Sequence, residues 1–180
     1  LFHKLRVWDA ESAPRADKLL AASKEVQRRI ELYWRLESEV VYPPVDDYWL
    51  HSDQLPVISG QSPYVFIAST LVPYKRIEIA IETCNTLNIT LKIAGEGPHR
   101  KALEHLAGPK TEFLGFVELE ALRTYYANAT AVLFPGKEDF GLVPLEAMSC
   151  GPPVIAYGIG GALETIVEGQ TGTFFAEDSA

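Results

Sequence analysis

Short apolar segments alternate with amphipathic segments from about residue 64 to the end of the chain. Five nearly continuous apolar runs predict strands, and a sixth is indicated near residue 174. The runs are Val65–Ala68, Ile89–Ala94, Phe113–Val117, Ala131–Phe134, Val154–Tyr157 and Thr173–Phe175. Because these runs do not alternate with polar residues, they are typical of parallel strands in a sheet that is covered on both faces.

Helical periodicity fills the intervals between these runs. Ile77, Ile81 and Cys84 would share one helix face. Two further sets would each share one helix face in the same way: Ala102, Leu103 and Leu106 form the first, and Leu119, Leu122 and Tyr126 form the second. Pro144 predicts the first turn of a short helix. Strands that alternate with such helices predict a three-layer, doubly wound parallel α/β sheet of the Rossmann-like kind, with strand order 3-2-1-4-5.

The first sixty residues have a different pattern. A helix is predicted within Ala16–Leu36, and a short apolar run at Glu39–Tyr42 ends at two prolines. Residues 45–63 are polar and contain proline, which predicts a loop. We therefore expect a linker segment over residues 1–60 and a sheet domain over residues 61–180. Because the sequence begins at Leu1 without a Met or a recognisable signal peptide, we expect it to be a piece of a longer protein.

Composition narrows the possible functions. Apolar residues make up 47% of the 180 residues, and no apolar run is long enough to span a bilayer. The net charge of −8 argues against general nucleic-acid binding, which needs a basic face, but permits a small phosphorylated ligand. Two cysteines form no disulfide framework and favour a reducing, cytoplasmic compartment. The four scattered histidines and the lack of an Asp-x-Asp motif predict no metal site.

The predicted strand order makes two loops neighbours, because the first and fourth strands adjoin where the order reverses. The first of these loops follows Ala68 and carries Lys75 and Arg76 at the start of a helix. Cations oppose the dipole at such a position. Two interpretations stay open for this loop: a solvated basic turn, or a Lys75 that neutralises a phosphate group.

The second loop follows Phe134 and leads into the helix that contains Pro144. Two carboxylates, Glu138 in the loop and Glu146 about one turn inside the helix, could accept hydrogen bonds from two parts of one ligand. The amides of Phe140, Gly141 and Leu142 would suit an anion or a polar oxygen. The alternative is that one acid only favours the helix start and that Glu146 is a surface residue.

Two glycine clusters also follow strands, at residues 95–98 and 158–161. Both resemble the opening of a dinucleotide-binding loop, but Arg100 and Leu163 stand where its third glycine is required. We therefore predict tight strand-to-helix turns at both places. Gly160 and Gly161 could in addition bring backbone close to a ligand.

Taken together, these segments resemble a known family over residues 64–176. The segments that carry the likeness are 71–76 (LVPYKR), 93–98 (IAGEGP), 113–117 (FLGFV), 138–148 (EDFGLVPLEAM), 151–156 (GPPVIA) and 168–172 (EGQTG). The chain resembles the C-terminal half of retaining GT-B glycosyltransferases of family 4, the glycosyl transferases group 1. Residues 6–9, 15–17, 22–23 and 42–45 resemble the linker region of the mannosyltransferase-like members. The resemblance implies a hexosyltransferase of polysaccharide biosynthesis. Its donor, GDP-mannose or a UDP-sugar, is a co-substrate, and neither a separate cofactor nor a metal is implied.

The resemblance also implies roles for individual residues. Glu138 would bind hydroxyls of the transferred sugar, Glu146 would bind the ribose, and Lys75 would hold the diphosphate. Backbone at Phe140, Gly141 and Leu142 would contact sugar or phosphate, and backbone near Val117 would contact the base. In catalysis, Glu138 and Lys75 are the residues on which the implied activity depends most.

One position departs from the family pattern. Thr70 stands where family members usually carry an arginine that helps neutralise the diphosphate. Either Arg76 substitutes for that arginine, or donor binding is weak, or the protein is a degenerate member. The alternatives to a transferase are therefore a non-catalytic nucleotide-sugar-binding module and an epimerase or phosphorylase of the same fold.

The resemblance further implies a missing N-terminal domain that binds a glycan or lipid-linked acceptor. We expect this chain to bind the donor but to transfer no sugar alone. Any membrane contact would be made through the missing part, so that a full-length protein would be cytoplasmic or peripheral to a membrane.

Overall fold

The computed structural model describes residues 1–50, 58, 60 and 62–176, which fall into two compact units. One unit is Leu1–Pro44 and the other is Val45–Ala180. The predicted domain boundary is at residue 60. Residues 51–57, 59 and 61, which surround it, lie outside the described ranges. The division into a linker over residues 1–60 and a domain over residues 61–180 stays a prediction.

The first unit contains two helices and two short strands. The helices are α1 (Phe2–Ser12), which continues as a 3-10 turn at Ala13–Arg15, and α2 (Lys24–Trp34). The strands β1 (Leu20–Ala21) and β2 (Glu39–Val40) pair in parallel. The sequence pattern did not predict α1, which contains no buried residue.

Helix α2 lies within the range Ala16–Leu36 in which the sequence predicts a helix, and it begins at Lys24. Ser23 is extended and buried, and its Oγ accepts a hydrogen bond from the Val26 amide at 3.0 Å. This side chain caps the helix and so fixes its first turn at Lys24. The apolar residues before Ser23 belong to β1 instead, where they pair with β2.

The second unit is a six-stranded parallel sheet with helices on both faces. Its strands are β3 (Val65–Ala68), β4 (Leu91–Ala94), β5 (Thr111–Gly115), β6 (Ala131–Phe134), β7 (Val154–Tyr157) and β8 (Gly172–Phe175). Its helices are α3 (Asp47–Leu50), α4 (Ile77–Leu87), α5 (Arg100–Leu106), α6 (Leu119–Ala127), α7 (Leu142–Ser149) and α8 (Ala162–Thr165). The short helix α3 corrects the loop predicted over residues 45–63: its Trp49 is buried, and the Asp46 carboxylate accepts from the Tyr48 amide at 2.8 Å.

The strand order is β5-β4-β3-β6-β7-β8, which is the predicted 3-2-1-4-5 order with the sixth strand added at its end. The two central strands β3 and β6 are in register at Val65 with Ala131 and at Phe66 with Val132. The order therefore reverses between β3 and β6, and this is the point where open α/β sheets bind ligands. The doubly wound parallel fold class is confirmed.

Successive residues of each strand enter opposite faces of the sheet, as the pleat requires. Phe66 packs with α6 and α7 in one core, whereas Ile67 packs with α4 and α5 in the other. Ile77, Ile81 and Cys84 are all buried in this second core, which confirms the predicted face of α4. Both faces of β3 are thus covered, and this explains its continuously apolar sequence.

The ends of β4 and β5 differ slightly from the predicted runs. β4 begins at Leu91 rather than Ile89, and β5 ends at Gly115 rather than Val117. The register between these strands shifts after Ile93, and Gly115 has a φ of 71°. The backbone leaves the sheet at this glycine because a left-handed conformation cannot continue a strand.

Candidate functional site

Two loops leave the carboxyl ends of the central strands β3 and β6. The loop after β3 runs from Ser69 to Arg76 and contains a 3-10 turn at Pro73–Lys75. The loop after β6 runs from Pro135 to Gly141 and leads into α7. Since β3 and β6 are paired neighbours, both loops emerge at the same edge of the sheet.

An ion pair joins these two loops. Lys75 Nζ donates a hydrogen bond to Glu138 Oε1, and the two side chains are only 19% and 23% exposed. Lys75 Nζ also lies 5.3 Å from the centre of the Tyr74 ring, within the range of a cation–π interaction. The structure thus brings together the cation and the first carboxylate that the sequence singled out.

Gly136 allows the two loops to approach each other closely. It is buried, and a Cβ at this position would lie 2.9 Å from the Cα of Lys75. The contact is with backbone, which cannot move aside as a flexible side chain could. Sequence reasoning assigned Gly136 no role, although a Pro-Gly step directly after a strand is a signal of a special backbone requirement.

The third loop, after β7, supports the Glu138 backbone from its other side. The Gly161 amide donates to the Glu138 carbonyl at 2.9 Å. A Cβ at Gly160 would lie 2.5 Å from that carbonyl oxygen, and one at Gly161 would lie 2.2 Å from Phe140 Cα. Both glycines therefore pack against the loop that carries Glu138.

The other glycine cluster is packed in the same way. A Cβ at Gly95 would lie 1.9 Å from the Ser69 carbonyl oxygen, and one at Gly97 would lie 2.3 Å from that of Leu71. The Leu71 amide donates to the Glu96 carbonyl at 2.9 Å. These are the tight turns that the sequence predicted, and they hold the loop that carries Lys75.

The start of α7 forms the third part of the site. Gly141 precedes the helix with a φ of 89°, and no side chain caps the helix within the described residues. Leu142 is the first helical residue and is exposed. Phe140 is half-buried in the loop before it. The amides of a helix start have no partner inside the helix and carry partial positive charge, so this position suits an anion or a polar oxygen.

Glu146 lies about one turn inside α7, as predicted, and is half-buried. Burial raises its pKa, because a carboxylate removed from water is harder to ionise. After burial, its charge contributes to the raised pKa of Tyr126 on α6 and to that of Cys150 at the end of α7. Glu146 is thus half-buried, whereas the alternative interpretation placed it at the surface.

Thr70 and Arg76, the two residues discussed at the departure from the family pattern, make different contacts in the structure. Thr70 is exposed, and its carbonyl accepts from the Ser69 hydroxyl at 3.1 Å and from the Val72 amide at 3.0 Å. The Arg76 guanidinium lies 4.9 Å from the ring centre of Tyr157, at the end of β7. Sequence reasoning missed Tyr157 as a partner, since only the order of the strands brings it near Arg76.

Val117 follows the end of β5 and is half-buried against the core that contains Tyr126. Phe116 beside it is 75% exposed. Val117 is therefore at the same edge of the sheet as Lys75 and Glu138, but two strands away from β3.

Within the part of the chain that the structure describes, no group of three or more His, Cys, Asp or Glu side chains could hold a metal ion. No helix among the same residues is both long enough and apolar enough to cross a bilayer.

Comparison with known proteins identifies the class of this domain. Residues 52–180 match the family described as glycosyl transferases group 1, and the chain belongs to that family. It is 24% identical over 162 residues to an uncharacterized glycosyltransferase of Methanocaldococcus jannaschii, covering 87% of this chain and 44% of that protein. It is 33% identical over 132 residues to a GDP-mannose-dependent alpha-(1-6)-phosphatidylinositol monomannoside mannosyltransferase of Mycolicibacterium smegmatis, covering 63% of this chain and 35% of the relative.

Solved structures support the fold. Sucrose-phosphate synthase from Thermosynechococcus elongatus superposes with a TM-score of 0.82 at 22% identity, over 96% of this chain and 48% of that one. The Anabaena protein HepE, solved with UDP and glucose, gives a TM-score of 0.75 at 23% identity, over 91% of this chain and 50% of that one. The chain spans half or less of each of these proteins. The predictions of a GT-B glycosyltransferase domain and of its sheet are confirmed.

Proposed function

We propose that this chain is the donor-binding part of a retaining hexosyltransferase and that it holds a nucleoside diphosphate sugar over the ends of β3 and β6. The observation that carries the proposal is the Lys75–Glu138 ion pair. It places a cation and a hydrogen-bond acceptor within one hydrogen bond of each other. In a nucleoside diphosphate sugar, the diphosphate and the sugar hydroxyls are likewise adjacent.

The remaining groups match the other parts of such a ligand. The amides at the start of α7 suit a phosphate or sugar oxygen, and Glu146 suits the two ribose hydroxyls. Backbone near Val117 would meet the base, which lies at the far end of the nucleotide. The ligand would then extend across the sheet edge from β6 towards β5.

The relatives indicate which donors to test. The Mycolicibacterium smegmatis relative is named as GDP-mannose-dependent, and the Anabaena structure contains UDP and glucose. We infer that the donor of this chain is GDP-mannose or a UDP-sugar. Base and sugar are to be decided by binding experiments.

The proposed chemistry is electrostatic. As the bond between sugar and diphosphate breaks, negative charge grows on the leaving oxygen, and the Lys75 ammonium and the helix-start amides stabilise it. Glu138 would hold the sugar in place through its hydroxyls. No step of this scheme needs a metal ion. The acceptor would be a glycan or a lipid-linked sugar bound by an N-terminal domain, so we expect this chain alone to transfer nothing.

A titration series tests the proposal. Isothermal calorimetry with UDP, GDP and ADP and with their glucose and mannose conjugates should show saturable binding of one nucleotide series. A ligand that binds only the folded chain also raises its melting temperature. If no member of the series binds or shifts the melting temperature at millimolar concentration, the proposed donor site is wrong.

Two observations favour a non-catalytic nucleotide-sugar-binding module as the second candidate. Thr70 brings no positive charge to the loop after β3, and Arg76 is engaged with the Tyr157 ring. A site with fewer cations would bind a diphosphate without stabilising its departure. Product analysis of a full-length protein that contains this chain separates the two candidates: a transferase yields a glycosylated acceptor with retained anomeric configuration.

A further inference from the structure

The proposed function gives no role to an ion pair at the carboxyl ends of β4 and β5. Arg100 Nη1 donates a hydrogen bond to Glu96 Oε1 at 2.6 Å. Both groups lie over Gly115, the buried last residue of β5: a Cβ at that position would be 2.8 Å from Glu96 Oε1 and 3.5 Å from Arg100 Nη1. The pair therefore covers the end of β5, two residues before Val117, whose backbone is proposed to meet the base.

Further contacts fix both members of this pair. The Glu96 carbonyl accepts from the Leu71 amide at 2.9 Å, which ties its backbone to the loop after β3. Arg100 Nε donates to Glu104 Oε1 at 2.8 Å, and the guanidinium lies 5.8 Å from the centre of the Phe113 ring. Among the described residues, no group donates to the second carboxylate oxygen of Glu96, Oε2. A donor and an unused acceptor are thus held side by side.

The place of the pair points to a nucleobase as its ligand. In the proposed function the ligand extends across the sheet edge from β6 towards β5, and β4 lies on that path between β3 and β5. Phe116 is exposed, although a hydrogen bond of 2.7 Å from the Gly95 amide to the Gly115 carbonyl fixes the chain directly before it. Proteins bind single bases with an aromatic ring for the flat face and polar groups for the edge. The ends of β4 and β5 carry both features.

The chemistry of the pair matches guanine better than the other bases. The Watson–Crick edge of guanine presents an acceptor, O6, beside two donors, N1–H and N2–H. The Arg100 guanidinium can donate to O6, while the Glu96 carboxylate accepts from N1–H and N2–H. Uracil has one donor between two carbonyl oxygens, so one of these oxygens would face the carboxylate. Adenine would turn its unprotonated N1 towards the same carboxylate.

We propose that Glu96 determines the base specificity of the donor site and that, together with Arg100, it selects guanine. The donor of this chain is then a GDP-sugar. This inference rests on the proposed function, which leaves the base open between guanine and uracil. A wrong base removes water from the carboxylate without replacing the lost hydrogen bonds, and it therefore binds more weakly.

Calorimetric titration of the whole chain with GDP, UDP, ADP and IDP tests the inference. IDP differs from GDP only by lacking the 2-amino group of the base. The wild type should bind GDP about 10-fold or more tightly than each of the other three, because each loses at least one hydrogen bond to a charged group. Glu96→Gln should reduce the preference for GDP over IDP by about 3- to 10-fold, since a neutral amide replaces the charged acceptor.

Glu104→Gln is the matched control. It removes the same charge from the other carboxylate that accepts from Arg100, and it should keep the preference for GDP. Exposed ion pairs contribute little to stability, so both variants should keep the melting temperature of the wild type.

The inference is wrong if the wild type binds GDP and IDP equally, if Glu96→Gln keeps the full preference, or if Glu104→Gln loses it to the same extent. A chain that binds UDP or ADP most tightly refutes the selection of guanine but agrees with the proposed donor site. A chain that binds none of the four nucleotides refutes the proposed function, and the inference with it.

Discussion

The Lys75 ammonium and the Glu138 carboxylate are paired with each other across the two central loops, although 63 residues separate them along the chain. Each group therefore already has a partner before any ligand is bound. If Lys75 binds a diphosphate, the phosphate oxygens compete with Glu138 for the same ammonium. In the proposed function, the ion pair would therefore couple recognition of the diphosphate to recognition of the sugar.

This competition gives a prediction for Glu138→Gln. The variant releases Lys75 from its carboxylate partner, so the affinity for UDP or GDP without a sugar should rise by about 2- to 5-fold, the range of a partly exposed ion pair. The preference for the nucleotide sugar over the bare nucleotide should fall at the same time. Calorimetric titration of both ligands measures the two effects.

Asp139→Asn is the control for that prediction, because it removes the same charge from the neighbouring residue of the same loop. If Asp139→Asn tightens UDP or GDP binding as much as Glu138→Gln does, the effect is one of net charge. If Glu138→Gln weakens binding of the bare nucleotide, Lys75 and Glu138 do not compete in the way described here.

Gly136→Ala tests the close approach of the two loops. The new Cβ would lie 2.9 Å from the Cα of Lys75, so one loop has to move. We expect a loss of about 1–3 kcal/mol in the free energy of unfolding, as for other overpacked sites, together with weaker nucleotide binding. Urea unfolding followed by circular dichroism measures the first effect, and calorimetry the second.

Gly158→Ala serves as the reference in the neighbouring β7 loop, since its Cβ would come no closer than 3.3 Å to the nearest atom. It should be markedly less destabilising than Gly136→Ala. Equal losses for the two variants would mean that the contact with Lys75 has no particular importance.

Glu146→Gln has opposite effects on stability and binding. Burial raises the pKa of Glu146, so its ionised form is less favourable in the folded chain than in the unfolded one. That penalty is absent below the ordinary carboxyl pKa and fully present above the raised pKa of the folded state. The stability of the variant relative to the wild type should therefore increase as the pH rises through this window, while nucleotide binding weakens.

Thermal unfolding between pH 4 and pH 8 measures this trend, with Glu82→Gln as the control on the exposed surface of α4. The control should show no rise in relative stability with pH. A Glu146→Gln variant that is less stable than the wild type at pH 8 would show that the carboxylate has a stabilising partner in the fold.

Thr70→Arg tests the departure from the family pattern. An arginine at this exposed position of the loop after β3 adds a cation that can pair with a diphosphate. We expect about 3- to 10-fold tighter binding of UDP or GDP at low salt and a smaller gain at high salt, where charges are screened. Thr70→Gln, which adds length without charge, should have little effect. Unchanged affinity in the arginine variant would mean that Thr70 does not face the diphosphate.

The sheet could be predicted from the sequence because its determinants are local. Each strand is a short apolar run, each helix has one apolar face, and the order of a doubly wound sheet follows from general rules. From that order alone, the loops with Lys75 and Glu138 had to be neighbours. The elements that were missed have no such signature: α1 buries no residue, and α3 is only four residues long.

The details of the site could not be predicted, since they depend on contacts between distant residues. No local pattern indicates that Gly136 meets the backbone of Lys75, or that Arg76 lies over Tyr157. The ring of Tyr126 is a further example: helical spacing placed this residue in the core, but not against Trp49 and Phe66. Side-chain pairings across a fold are set by the packing of whole elements.

Titration of a nucleotide sugar into the Lys75→Met variant most directly tests whether this chain binds a diphosphate between its two central loops. The control is Lys101→Met, which removes the same charge from an exposed position on α5. With UDP-glucose and GDP-mannose as ligands, the wild type and the control should bind one of the two with similar Kd, and Lys75→Met should bind it at least about 10-fold more weakly. Equal Kd values for all three proteins would contradict the account.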